Sequence, residues 1–315
     1  MIMPGISLII PTYNRADFLR DTLQSVAEIN CPQGVEWEVL VIDNNCTDDT
    51  PKVVAEAAKN FPCELRHIVE HQQGLCYGRN RGLREARFEH LAYLDDDIRV
   101  GNNWVKGYFE AVNEDGADAV AGPVFPLFSG QQPDYLVGSA LQIISSGYSR
   151  KGSEKLLLPR KLAHELAGCN FGVKKAAAES VNGFDNSLDR VGKGLIAGGD
   201  FDFGKRLVAA GKRTVYHPDC SIQHFIIPEK LTKTYLRRRA YGLGSTRRLM
   251  TQGLQKPSLL QRLKQLARIG RIGGGVVGLR ILGRKGESFS REIDLLQSIG
   301  FLVTKPRESD PGDAE

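Results

Sequence analysis

The chain has 315 residues, 41% hydrophobic and 25% charged, a balance that excludes global disorder and leaves room for one large domain or two small ones. No run of about 18 apolar residues occurs, so no ordinary transmembrane helix is expected. The apolar stretch at 7–10 meets Pro11 at once, so no signal peptide is expected either. The net charge of +5 is lopsided: residues 229–291 hold sixteen Lys and Arg against two acids, the remainder is net acidic, and the two parts are expected to face different partners.

In chain order, ISLIIPTY reads as a buried strand, and RADFLRDTLQSVAEI carries apolar residues at helical spacing. WEVLVIDNN is a second strand, DDTPKVVAEAAKNF a second helix and ELRHIVEH a third strand. LCYGRNRGLREARF is a third helix and HLAYLDDD a fourth strand. Nearly continuous apolar strands alternating with helices predict a parallel α/β sheet covered on both faces. A further strand is predicted over 118–126, then a Gly- and Ser-rich stretch over 127–159 with no readable periodicity. GCNFGVKKAAAESVNGFD gives a short strand, a helix and a turn, GGDFDFGKRLVAAG a loop entering a helix, and RTVYHPDCSIQHF a late strand pair. Basic helices follow from Leu231 to about Gly253 and beyond Pro257, with a short last helix near Ile293. The six cysteines (Cys31, Cys46, Cys63, Cys76, Cys169, Cys220) lack C-x-x-C or zinc spacing and are expected as reduced, mostly buried thiols of a cytosolic protein.

Ligands of such sheets collect at the carboxyl ends of the strands. PTYNR, DNNCTDDT and DDD all fall at those ends. The last is the most demanding, because burying unpaired carboxylates is costly. Asp95 and Asp97 point to one side of a strand end and Asp96 to the other. A divalent cation with oxygen ligands, Mg²⁺ or Mn²⁺, would offset such a cluster; a solvated acidic turn is the plainer alternative.

Taken together, SLIIPTYNR (7–15), VLVIDNNCTDDT (39–50), GLCYGRNRGLREA (74–86), YLDDDIRVGNNW (93–104), GCNFGVKKAAAESVNGFD (168–185) and GGDFDFGKRLVAAG (198–211) resemble family 2 glycosyltransferases, the inverting enzymes of the GT-A fold. The resemblance covers about residues 5–230, in the family's order. It implies a GT-A-like, mostly parallel α/β catalytic domain over 1–228, and leaves 229–315 as a basic helical extension. It also implies residue roles. Pro11, Thr12, Tyr13 and Asn14 would lie against the nucleotide base and ribose, and Asp43 would accept an N–H of the base. Gly74 and the pair Arg79–Asn80 would face the diphosphate, where a guanidinium makes charge-assisted bonds. Asp97 would hold the metal, joined by His224, with Asp95 and Asp96 on the ribose or sugar. Asn170 would line the sugar pocket. Asp200 would be the catalytic base, with Asp202 as the competing candidate. Members usually carry Glu-Asp here, and this chain has Gly199-Asp200.

The expected activity is metal-dependent, inverting transfer of a sugar from a nucleoside diphosphate sugar, UDP-linked by preference, to a saccharide or lipid-linked acceptor. Residues 145–153 are a candidate lid over the donor. The basic C-terminal part has three readings: solvated helices, adhesion to an anionic membrane surface, and nucleic acid. The membrane reading leads, which places the protein in the cytoplasm and peripheral on the inner face of the membrane, with no nucleic-acid partner. A degenerate nucleotide-sugar-binding scaffold is the alternative of another class. A sugar-phosphate nucleotidyltransferase ranks lower, because PTYNR offers no glycine where such enzymes carry a Gly-rich phosphate loop.

Overall fold

The computed structural model describes residues 5–144, 154–158, 166–188, 198–252 and 258–304. The candidate lid at 145–153 lies outside the described residues. The described residues form two compact units: 5–127, 154–158, 166–188 and 198–225 in the first, and 128–144, 226–252 and 258–304 in the second.

The first unit is built on β1 (Gly5–Thr12), β2 (Glu36–Asp43), β3 (Glu64–Val69) and β4 (His90–Leu94), interleaved with α1 (Ala16–Ala27), α2 (Thr50–Ala58) and α3 (Leu75–Glu85). All eight residues of β1 are buried, as a strand covered on both faces requires. Alternate side chains enter opposite layers. Ile6, Leu8 and Ile10 pack in one core with Leu19, Val53 and Trp104, while Ile9, Leu40 and Tyr93 pack in the other with Leu83, Phe171 and Phe203.

After β4 come β5 (Ile98–Val100), α4 (Trp104–Asp115), β6 (Ala119–Ala121) and β7 (Val124–Phe128). Farther on are α5 (Gly138–Gln142), β8 (Leu156–Leu157), β9 (Asn170–Lys174), α6 (Lys175–Glu179), α7 (Gly199–Ala209), β10 (Thr214–Tyr216) and β11 (Ile222–Ile226). The eight-stranded sheet runs β3-β2-β1-β4-β9-β6-β10-β8, and a three-stranded sheet runs β5-β11-β7. Strands β1 to β4 are parallel neighbours, whereas β9 runs antiparallel to both β4 and β6 and β8 antiparallel to β10. The sheet is therefore mixed in its second half. Two expectations are corrected. The single strand predicted over 118–126 is two, broken at Gly122–Pro123 and shared between sheets. The late pair is likewise no pair, since β10 joins the large sheet and β11 the small one. The cysteines are all free, but only Cys76 and Cys220 are buried.

The second unit contains α8 (Pro228–Leu231), α9 (Lys233–Gln252), α10 (Leu259–Ile281) and α11 (Lys285–Val303). The last helix has 19 residues, longer than the short one expected. Leu136, Ala140, Leu236, Ala240, Phe289 and Ile293 form the unit's core. Glycines let α9 and α11 approach backbone to backbone. A Cβ on Gly244 would stand 2.0 Å from the Gln297 carbonyl oxygen, and one on Gly300 2.2 Å from that of Tyr241. No rotamer relieves a clash with backbone. Gly244→Val is therefore expected to destabilise the helical unit by about 1–3 kcal/mol, read by urea unfolding; an unchanged midpoint would contradict this packing.

Candidate active site

Parallel register brings the strand ends together. Thr12 pairs with Asp43 across β1 and β2, and Ile9 pairs with Tyr93 across β1 and β4, so three residues farther Thr12 meets Asp96. Tyr13 follows, half exposed at 50%. Asn14 takes a left-handed φ of 51°, which a short amide tolerates. Its Oδ1 accepts the Thr47 N–H at 2.7 Å, tying the turn after β1 to the turn after β2.

Asp43 is buried; its Oδ1 accepts the Cys46 N–H at 2.7 Å and its Oδ2 lies 3.0 Å from His67 Nε2. The neighbouring Asn44 clasps the loop that leads to α3. Its amide donates to the carbonyls of Glu70 and Gln72, and its Oδ1 accepts the Gly74 N–H at 2.7 Å. Gly74 caps α3 at φ 147°, a region open essentially to glycine.

The acidic triplet follows β4. Asp96 Oδ2 accepts the Thr12 hydroxyl at 2.7 Å, and its Oδ1 accepts from Arg15 Nη1 at 2.9 Å. The same nitrogen donates to Asp97 Oδ2 at 2.8 Å. Asp97, 2% exposed, also has Oδ1 3.1 Å from His224 Nε2. The Thr22 hydroxyl, 2.8 Å from the Asp96 carbonyl, accepts the Ile98 N–H and so holds the backbone on either side of Asp97. Burial pushes the Asp96 carboxyl up to about 6 although Arg15 pulls the other way. Burial also raises Asp95. It works against the charge on Arg15 too, but Asp96 and Asp97 outweigh it and hold that guanidinium firmly protonated.

Arg79 is buried over the Phe184 ring, its guanidinium carbon 5.4 Å from the centroid. Its Nη2 donates to the Gly168 carbonyl at 2.7 Å and lies 3.5 Å from Asp95 Oδ1, while its buried Nε has no partner. Burial opposes its charge, but Asp95 and Asp200 raise its pKa. Asp200 sits in the first turn of α7, and its Oδ2 accepts the Gly168 N–H at 3.1 Å. Gly168 is thus wedged between acid and guanidinium; a Cβ there would lie 2.3 Å from Asp200 Oδ2 and 2.9 Å from Arg79 Nη2. Gly199 has a similar reason. Its Cβ would stand 2.4 Å from Cys76 Sγ, so the thiol occupies the space a longer residue would need. Asp202 pairs with Arg206 at 2.7 Å one helical turn away.

Asn170 and Asn80 also make bonds within the framework. Asn170 is fully buried, accepting from Trp104 Nε1 at 2.7 Å and donating to the carbonyls of Pro123 and Cys220. These side-chain bonds tie the start of β9 to α4 and to the segments that lead into β7 and β11. Asn80 holds the turn at Phe184 through the backbone N–H and carbonyl, with Asn186 as a third partner.

The donor set at the triplet suits a hard divalent cation: carboxylate oxygens with one imidazole nitrogen. Among the described residues, Arg15 and Arg79 bring guanidiniums to the acids Asp95, Asp96, Asp97 and Asp200. A separate ligand group, Glu110, His217 and Asp219, lies between α4 and the turn after β10. There His217 Nδ1 accepts the Asp219 N–H at 3.2 Å, and Nε2 lies 3.2 Å from Glu110 Oε2.

Sequence reasoning assigned no role to Arg15, Thr22 or the Asn44 clasp, nor to the His217 group. Arg15 closes the PTYNR turn, and an arginine after a turn reads as solvent-facing; only the register of β1 on β4 shows what it meets. Arg15→Ala is expected to lower stability by about 2 kcal/mol, because two buried carboxylates lose their shared donor. Urea unfolding measures it, and a loss below about 0.5 kcal/mol, the size of an ordinary surface substitution, would contradict the role.

Residues 7–181, more than half of the chain, match glycosyl transferase family 2. The glycosyltransferase AglE of Haloferax volcanii is 28% identical over 218 residues, 69% of this chain and 66% of that protein. The succinoglycan biosynthesis protein ExoM of Rhizobium meliloti is 25% identical over 245 residues, 76% of this chain and 73% of that protein. Among solved structures, the mannosyltransferase PcManGT from Pyrobaculum calidifontis, in complex with GDP-Man and Mn²⁺, gives a TM-score of 0.63 at 17% identity, covering 95% of this chain and 86% of that one. S. aureus TarS 1–349 in complex with UDP-GlcNAc gives 0.54 at 16% identity, with 94% and 90% covered. These structural likenesses establish a shared GT-A-like fold.

Proposed function

Because the chain belongs to glycosyl transferase family 2, we propose that it moves a sugar from a nucleoside diphosphate sugar to an acceptor hydroxyl with inversion, in polysaccharide or glycolipid synthesis. The favoured donor is a UDP-sugar and the acceptor a saccharide or lipid-linked saccharide. The observation that carries this reading is the cluster of adjacent carboxylates at the ends of the parallel strands, with Asp96 and Asp97 buried and the His224 imidazole beside Asp97.

Asp97 and His224 are the residues that would hold Mn²⁺ or Mg²⁺. Such an ion supplies neutralisation of the charge that grows on the leaving diphosphate. Tyr13 offers its exposed ring to the base, and Asp43 offers a carboxylate to a base N–H. Asp95 and Asp96 face the ribose and sugar hydroxyls as acceptors. Arg79 stabilises the diphosphate, and its unpartnered Nε–H is a donor that a phosphate oxygen would satisfy. Asp200 takes the proton from the attacking hydroxyl, and one displacement inverts the anomeric carbon. Its anchor on the Gly168 N–H favours it over Asp202, which Arg206 engages. Asn80 and Asn170 act here through the turn and strand they hold. The basic helical unit keeps the enzyme on an anionic membrane surface, peripheral to the cytoplasmic face.

A second reading, a nucleotide-sugar-binding scaffold without turnover, draws on Gly199, where the family usually has Glu. The two readings separate on Asp200→Asn. Transfer is expected to fall by about 10²–10⁴-fold with UDP binding unchanged, whereas a wild-type chain that binds UDP but turns over no donor supports the scaffold.

The nucleotide site has its own test. UDP with Mn²⁺ at about a hundred times Kd should stabilise the protein by about 2.7 kcal/mol, seen as a rise in Tm. That rise should vanish in Asp97→Ala; its persistence there would remove Asp97 from the metal site.

A further inference from the structure

Helix α10 presents its apolar residues on the wrong side for a protein core. Its buried side faces α11: Ile272 and Val276 are buried, Gln265 Nε2 donates to the Ser298 carbonyl at 3.2 Å, and the Ser288 hydroxyl donates to the Val276 carbonyl at 3.0 Å. At about 100° per residue, the opposite side is a second stripe of Leu259, Leu263, Leu266, Val277 and Ile281. All five are more than half exposed, from 52% at Leu266 to 80% at Ile281. Their spacings of three and four residues are kept in the middle by Gly270 and Gly274.

Charge frames this stripe. Arg262 and Arg280 lie along one flank, Lys264 and Arg271 along the other, and α10 contains no acid. Arg280 shares Glu292 with Arg237, while Arg262, Lys264, Arg268 and Arg271 have no ion pair among the described residues. An outward apolar stripe with cations on both borders is the pattern of a helix lying in a membrane interface, its leucines among the acyl chains and its cations at the headgroups. Five cations in 23 residues oppose a transmembrane course, and no described helix is long and apolar enough to cross a membrane. A second copy of the chain fits poorly, because its own stripe would bring the same cations against these. The helix also holds five glycines between 270 and 278, each with open space where a Cβ would be. Such a run weakens a helix in water, and a surface that covers it would firm it.

We propose that the outward stripe of α10 is the element that lies on an anionic lipid bilayer. The proposal rests on the peripheral placement given above and names the face responsible. It is tested with the full chain floated on vesicles of phosphatidylcholine alone, or of equal parts phosphatidylcholine and phosphatidylglycerol. Wild-type protein should partition at least tenfold better onto the anionic vesicles. Leu263→Ser with Leu266→Ser, and separately Arg262→Glu with Arg271→Glu, should each cut that partition about tenfold or more. In a third variant, Leu266→Trp, the new indole should be quenched by brominated anionic lipid; no quenching there contradicts the proposal. Wild-type binding that neither double variant changes would overturn the assignment to α10 while leaving the peripheral placement standing. No binding by wild type would overturn both. A dimer in sedimentation velocity that the leucine double variant abolishes would give the stripe to a second copy instead.

Discussion

Three adjacent carboxylates can sit at the end of a buried strand only where positive charge reaches them. Here it comes from Arg15 in the turn after β1 and Arg79 in α3, while the His224 imidazole of β11 lies beside Asp97. The Arg15 and His224 contacts span dozens of residues of sequence and the Arg79 contact 16, so the triplet binds the turn, the small sheet and the helix into one rim. Burial raises Asp95 and Asp96, the direction in which desolvation moves a carboxylate. A site held in that state favours an incoming cation and the polyanion it accompanies.

The rest of the rim is positioned by backbone geometry as much as by side chains. Gly168 gives its N–H to Asp200 and its carbonyl to Arg79, so one residue without a side chain fixes the separation of acid and guanidinium. Gly74 and the Asn44 clasp do the same for the entry to α3. Gly199 and Cys76 are complementary in size, the thiol filling the space that a side chain at 199 would need beside the anchored Asp200.

Much of this was legible in the sequence because the parallel half of the sheet is written in local patterns. The strand of β1 and the helix of α1 have unmixed periodicities, and polar turns mark their ends. What escaped depends on pairing between distant segments. The antiparallel insertion of β9, the split of β6 from β7 and the separation of β10 from β11 follow from register, which short apolar runs do not specify. The α4 helix and strand β5 also went unread. Arg15 escaped for a like reason, since its partners lie 81 and 82 residues away. Asn170 was legible as an important amide, while its bonds to Trp104, Pro123 and Cys220 come from segments that only the fold brings near. In α10 the arginines were legible. The second apolar face became meaningful only once α11 was seen to take the first.

The central claim is that the Asp95–Asp97 cluster is a cation site completed by a nucleotide diphosphate. Manganese anomalous scattering from crystals soaked with UDP and Mn²⁺ addresses it directly. The account predicts an ion coordinated by Asp97, with the diphosphate against it and the base beside Tyr13 and Asp43. An ion found only among Glu110, His217 and Asp219, with the nucleotide away from the strand ends, would contradict it.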